Sequence, residues 1–217
     1  MSKVAPASYC LLALLTAACQ PSGHSTAQAR IQTELAARSE RGARAAELVR
    51  SSLRLYHEHK YDAAAKDLTR ATDLAPQNAQ AWMALGAVKF AQQSWFDAAQ
   101  AFDKAAKLLP DRFEPHFNLG TVLEAAGVYK AAIREYTIAL ALSPQDLTTE
   151  ENLARCLISN NTDLPKARAL IASALEHELR SEWRQWLERQ GNILDNNLAT
   201  TRPLPSAPAT QGAPDAH

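Results

Sequence analysis

Small and bulky apolar positions return along the chain at a constant interval of 34 residues. Ala64, Ala98 and Ala132 form one column of small residues, and Ala71, Ala105 and Ala139 form a second. Between them runs a bulky column of Leu68, Phe102 and Tyr136, preceded by an aromatic column of Tyr61, Trp95 and Tyr129. Within each block these positions stand three or four apart, which is the spacing of one helix face. Leu85-Gly86 and Leu119-Gly120 mark the first helix of their blocks, with the glycine allowing close approach of the second. Pro76, Pro110 and Pro144 keep the same interval of 34. Each closes the helix before it, because proline lacks an N–H and pushes its predecessor out of the α region. Asn78 and Asp146, two residues past their prolines, suit the N-cap of the next helix. Pro115 falls in the first turn of its helix, where the missing N–H costs little. The chain reads as successive antiparallel helix pairs, an all-α protein.

This register resembles the tetratricopeptide repeat (TPR), a helix–turn–helix unit of the same period. The match is fullest over 79–112, where Trp82, Leu85, Gly86, Ala98, Phe102, Ala105 and Pro110 all stand in register. Ser51-Ser52 replace the Leu-Gly pair in the first block, and His116 replaces the tryptophan in the third. The resemblance implies an αα-superhelix, a solenoid with hairpins at 45–78, 79–112 and 113–146 and a degenerate one at 147–180. The turn of the fourth, Asn160 to Pro165, is longer by about one residue, after which Ala167, Ile171 and Ala174 resume the pattern. Residues 27–44 have a thin apolar stripe of Ile31, Leu35 and Ala36, and form a leading helix or extend the next one. Residues 181–198 read as a C-terminal capping helix with Trp183, Trp186 and Leu187 inward, since a repeat stack needs its last apolar face covered. Residues 199–217 are proline-rich, lack core formers and read as a disordered tail.

The amino terminus has a different pattern. Lys3 precedes an apolar run from Tyr9 to Ala18, too short for the roughly 20 apolar residues that span a bilayer and of the length of a secretory signal. It ends in Leu15-Thr16-Ala17-Ala18-Cys19, which resembles a bacterial lipobox. By that resemblance 1–18 is a lipoprotein signal peptide, Cys19 is the lipidated residue and 19–26 is a tether. Gln20, not being aspartate, implies the outer membrane of a Gram-negative cell, facing the periplasm. The alternative is an ordinary signal peptide cut near Ala18. With Cys10 removed and Cys19 lipidated, Cys156 alone remains and cannot form an internal disulfide. Its apolar neighbours mark it as a buried small hydrophobe.

In TPR proteins the first helix of each hairpin builds the concave wall, and the register projects a set of side chains onto it. The first hairpin contributes Val49, Leu53 and Tyr56, and the second Met83 and Phe90. The third contributes Phe117, Asn118, Thr121 and Glu124, and the fourth Glu151, Asn152 and Arg155. Asn118 and Asn152 are 34 apart. In family members that bind extended peptides, asparagines in this slot hold the peptide backbone, because an amide both donates and accepts. The aromatic and methionine content of the wall suits a protein or peptide partner. An internal filling of the groove by the leading helix or the tail is the competing reading. Val49 and Leu53 stand where the family's carboxylate clamp has a lysine and an asparagine.

Composition narrows the function. Lys+Arg and Asp+Glu both total 23, so the chain has no net charge to attract nucleic acid, and contact with membrane is expected through the N-terminal lipid alone. His57 and His59 are two residues apart and point roughly 200° apart on a helix, so they cannot share a metal. No phosphate loop, Cys-x-x-Cys or His-Glu-x-x-His motif occurs. The expectation is a scaffold or adaptor for envelope proteins, with no catalytic residue, metal or cofactor. A pilotin-like assembly factor for a secretin and a self-pairing dimer are the other two readings.

Overall fold

The computed structural model describes residues 23–177 and 181–201. Among these residues there are nine helices and no strand: α1 (Gly23–His57), α2 (Tyr61–Leu74), α3 (Ala79–Ala91), α4 (Trp95–Leu108), α5 (Phe113–Ala125), α6 (Tyr129–Leu142), α7 (Leu147–Ser159), α8 (Leu164–His177) and α9 (Ser181–Thr201). The chain divides into two compact units, 1–43 and 44–217. In the first unit the described residues are helical, and Ile31 and Leu35 are more than half exposed. The stretch expected over 27–44 belongs to α1, which continues to His57.

In the second unit each helix from α2 to α9 packs on the next. The turns inside the hairpins share one design. The amide of Ser94 donates to the Lys89 carbonyl at 2.9 Å and that of Gln93 to the Phe90 carbonyl at 2.9 Å. This is the Schellman pattern, which needs its C′ residue in the left-handed region. That residue is Gln93, with φ 59°. The same pair of bonds recurs at His59-Lys60, Gly127-Val128 and Asn161-Thr162. His59, Gly127 and Asn161 also have positive φ, so the left-handed residues form a further column spaced by 34. Between hairpins, Asn78 accepts from the Ala81 amide at 3.2 Å and Asp146 from the Thr149 amide at 2.7 Å. The Trp82 indole N–H donates to the Pro76 carbonyl at 2.9 Å, tying α3 to the turn before it.

The columns of the sequence are the core. Ala64, Ala98, Ala132 and Ala167 are fully buried, as are Ala71, Ala105 and Ala139. Leu68, Phe102, Tyr136 and Ile171 are buried between them. The fourth hairpin joins the register one residue late because its turn, 160–163, holds one residue more than the turns at 58–60, 92–94 and 126–128. Within two hairpins a glycine of the first helix lies directly against an aromatic ring of the second. A Cβ built on Gly86 would stand 2.7 Å from the Phe102 ring, and one on Gly120 would stand 2.7 Å from the Tyr136 ring. Ser52, in the same slot of α1, is buried and bonds the Val49 carbonyl at 2.7 Å.

At the carboxyl end Leu187 and Leu194 are buried and Trp186 is half-buried against the last hairpin. The placement expected for the Trp183 side chain, and the tail from 202 onward, lie outside the described residues. The helix runs past the expected end at 198, so 199–201 are helical rather than part of the tail. The signal sequence and Cys19 also lie outside the described residues. No described helix is long and apolar enough to cross a membrane.

Candidate functional site

The wall projected from the sequence falls on α1, α3, α5 and α7, and the structure treats its two halves differently. Along α1 and α3 it is apolar and partly open. Leu53 is 46% exposed and Tyr56 is half-buried. Together with Ser52, Leu68, Ala84, Ala87 and Val88 they line a cavity of about 140 Å³. The cavity exists because the bulky column carries Leu68 in this hairpin, where the next two carry the rings of Phe102 and Tyr136. Ala84 and Ala87 add no bulk from the α3 side. Met83 and Phe90 are half-buried beside the cluster around Phe102, and the Phe90 ring lies 5.2 Å from that of Trp95. Val49 is 5% exposed and packs in the core between α1 and α2, so it is not a wall residue.

Along α5 and α7 the wall is closed by a polar network. The Tyr136 hydroxyl donates to Glu124 Oε2 at 2.8 Å and lies 3.2 Å from Thr121 Oγ1. Asn152 Nδ2 donates to the same hydroxyl at 3.3 Å. Arg155 grips Glu124 with two bonds, Nε to Oε1 at 2.5 Å and Nη2 to Oε2 at 3.0 Å, and its Nη2 also reaches Asn152 Oδ1 at 2.9 Å. Four of the projected wall residues, Thr121, Glu124, Asn152 and Arg155, are thus tied to one another through Tyr136. Burial raises the Tyr136 pKa, helped by the charge of Glu124, so the phenol keeps its proton and donates. Burial opposes the Arg155 charge, but Glu124 outweighs it and the pKa is raised. Burial, with Glu124 nearby, pushes the Cys156 thiol up to about 12. Glu151 is 1% exposed and lies within the packing rather than on the wall.

The two asparagines of the shared slot differ for a physical reason. Asn152 finds a hydroxyl 16 residues earlier, at Tyr136. Sixteen residues before Asn118 stands Phe102, which has no hydroxyl to offer. Asn118 is half-buried and has no side-chain hydrogen bond among the described residues, so its amide is the one available to a guest. Phe117 beside it is half-buried, with its ring 5.9 Å from that of Tyr136. Sequence reasoning missed Tyr136 as the hub of the network and missed the cavity. The signals were present: a tyrosine where its counterparts are leucine and phenylalanine, and a leucine where the next two are aromatic. His57 and His59 are exposed, and His59 pairs with the Tyr61 hydroxyl at 2.8 Å. His116, which stands in the tryptophan slot, lies 2.9 Å from Glu135.

A family model described as "Tetratricopeptide repeat" matches residues 49–113. "Tetratricopeptide repeat protein 37" of Xenopus laevis is 27% identical over 122 residues, which is 53% of this chain and 8% of that protein. The chain therefore spans less than a tenth of the length of this relative. Among solved structures, YrrB, described as "a TPR protein with an unusual peptide-binding site", superposes with a TM-score of 0.63 at 19% identity over 71% of this chain and 78% of that one. The first TPR domain of Spaghetti (RPAP3) bound to an HSP90 peptide gives 0.54 at 18% identity, covering 56% of this chain and 96% of that one. MamA gives 0.58 at 19% identity, covering 61% and 77%. These likenesses establish the fold.

Proposed function

We propose that this chain is a tetratricopeptide-repeat binding scaffold that holds an extended peptide or helix of a partner protein along α1, α3 and α5, and that it catalyses nothing. The observation that carries the reading is the contrast within the wall. Thr121, Glu124, Asn152 and Arg155 of its α5–α7 half are bound to one another and to Tyr136, while its α1–α3 half presents Leu53, Tyr56 and an apolar cavity. Asn118 adds a half-buried amide with no partner in the described chain, able to donate to and accept from a peptide unit. That YrrB has a peptide-binding site and that the Spaghetti domain holds an HSP90 peptide lend analogy to this use of the fold.

The scaffold is further proposed to be tethered by lipid at Cys19 to the outer membrane, facing the periplasm, where it gathers envelope proteins. The support is the Leu15-Thr16-Ala17-Ala18-Cys19 pattern behind a short apolar run. An acylated cysteine with several chains anchors stably, where a single chain does not. Mass spectrometry of the cell-derived protein tests the anchor. A diacylglyceryl Cys19 at the mature N-terminus supports it, and an unmodified N-terminus after cleavage refutes it. The scaffold reading is tested by affinity capture from envelope extract with the full chain and with the Phe117→Ala/Asn118→Ala variant. Loss of a discrete partner in the variant is expected. Equal capture by both would overturn the wall as the binding face.

A further inference from the structure

The helices that build the wall bring few charges, and those they bring are already engaged. Lys89, the one charged residue of α3, lies 3.6 Å from Asp97 on α4. On α5, Glu114 pairs with Arg112, His116 lies 2.9 Å from Glu135, and Glu124 pairs with Arg155 of α7. Glu150 and Glu151 of α7 are buried, and Ser173 donates to Glu150 at 3.3 Å. Each charge of α3, α5 and α7 is thus held by a neighbour or enclosed in the packing.

The cavity between α1 and α3 is neutral as well. Its lining contains no ionisable side chain other than the Tyr56 phenol. Arg50, Arg54 and His57, exposed on the same stretch of α1, do not line it. Its volume of about 140 Å³ is close to that of an engineered apolar cavity of roughly 150 Å³ that takes up benzene, so it holds one branched aliphatic or aromatic side chain. The projected wall on α3 and α5 adds Met83, Phe90, Phe117, Asn118 and Thr121, which offer apolar surface, an amide and a hydroxyl. A charged guest side chain laid on such a surface gives up water and meets no free counter-charge, and that cost falls on either sign. An apolar side chain gains by burial, and a main-chain peptide unit is matched by the Asn118 amide.

Resting on the wall reading above, we infer that the guest of α1, α3 and α5 is an uncharged segment of a partner protein. It is an extended stretch with no acidic or basic side chain where it meets the wall, one leucine-sized side chain in the cavity and its main chain held at Asn118. Selection acts against charge of both signs, because the wall matches neither. Binding therefore persists at high salt, since there is no ion pair for salt to screen.

Panning a library of random peptides with blocked ends on the full chain tests this. The enriched cores are expected to contain leucine or another large apolar residue and to lack charged residues. An enriched peptide, labelled for fluorescence anisotropy, should weaken by about tenfold or more when one core residue becomes either aspartate or lysine, and change by less than about threefold from low to high salt. Ala87→Leu, which fills the cavity from an exposed position, should weaken it by about tenfold or more through lost burial. Far-UV circular dichroism confirms that the protein variants keep their helices. Enrichment of acidic or basic cores, or a peptide strengthened by charge of one sign, overturns the inference, as does indifference to Ala87→Leu. If the peptides that bind in those cases are lost in Phe117→Ala/Asn118→Ala, the wall reading stands and the inference alone falls. If no peptide is enriched, or binding is indifferent to both protein variants, both fall.

Discussion

Gly120→Ala is the sharpest probe of how the hairpins nest. An alanine Cβ there would stand 2.7, 2.8 and 3.1 Å from three ring carbons of Tyr136. Contacts that short force one partner to move. The ring has no room to retreat, since Tyr136 is fully buried and its hydroxyl is engaged with Glu124 and Asn152. Forced overpacking of a core costs about 1–3 kcal/mol, and disturbing one hydrogen bond adds about 1 kcal/mol. Replacing glycine in a helix interior returns about 1 kcal/mol of intrinsic propensity. The net expectation is a loss of about 1–3 kcal/mol. Urea unfolding followed by far-UV circular dichroism measures it. Gly191→Ala is the internal control, because its nearest neighbour would be Ile171 Cγ2 at 3.6 Å, an ordinary contact. That variant should gain up to about 1 kcal/mol. Tyr136→Leu combined with Gly120→Ala should be less damaging than the two single losses added together, since removing the ring removes the clash. Gly120→Ala at or above wild-type stability, or strict additivity with Tyr136→Leu, would refute the nesting argument.

Gln93→Gly should stabilise the chain by about 0.5–1 kcal/mol, because a left-handed non-glycine residue is strained; a destabilised variant in the same urea assay would contradict this. Arg155→Leu should cost about 1–3 kcal/mol, discounted for the partial exposure of the pair, by leaving Glu124 without its counter-ion. Adding Glu124→Leu should recover part of that loss in the same assay, and no recovery would argue against the network. Asp146→Ala should cost about 1 kcal/mol as α7 loses its cap, measured by the shift in urea midpoint. The Cys156 thiol, ordinarily near 9.0 and here about 12, should resist thiol reagents at pH 8 until the chain unfolds. Because its folded value is the higher one, its contribution to stability is complete below pH 9.0 and is lost as pH rises toward 12, so urea midpoints should fall over that window. Rapid labelling of the native chain at pH 8 would contradict the burial.

The fold was legible because nesting depends on side-chain size, and size recurs on a fixed period. Ala64, Ala98 and Ala132 announce close approach, the prolines announce helix ends, and Asn78 and Asp146 announce starts. The late entry of the fourth hairpin was readable from its longer turn. The wall was less legible, because a register says which way a residue faces but not what it meets. Asn152, Thr121, Glu124 and Arg155 share wall slots with residues elsewhere in the array. They are consumed by bonds to a tyrosine hydroxyl, and to each other, across as many as 31 residues of sequence. Val49 and Glu151 fall where hairpin packing closes over them. The cavity arises from what is missing at Leu68, and a deficit of volume is visible only once its neighbours are in place.

The central claim is that a partner lies on the first-helix wall rather than on the outer surface. Photo-crosslinking from single positions of the full chain in its native cells tests it directly, with the probe at Ala87 on the cavity rim or at Phe96, which is 74% exposed on α4. The account predicts a discrete adduct from Ala87 that disappears in Phe117→Ala/Asn118→Ala, and none from Phe96. An adduct from Phe96 with none from Ala87 would contradict it.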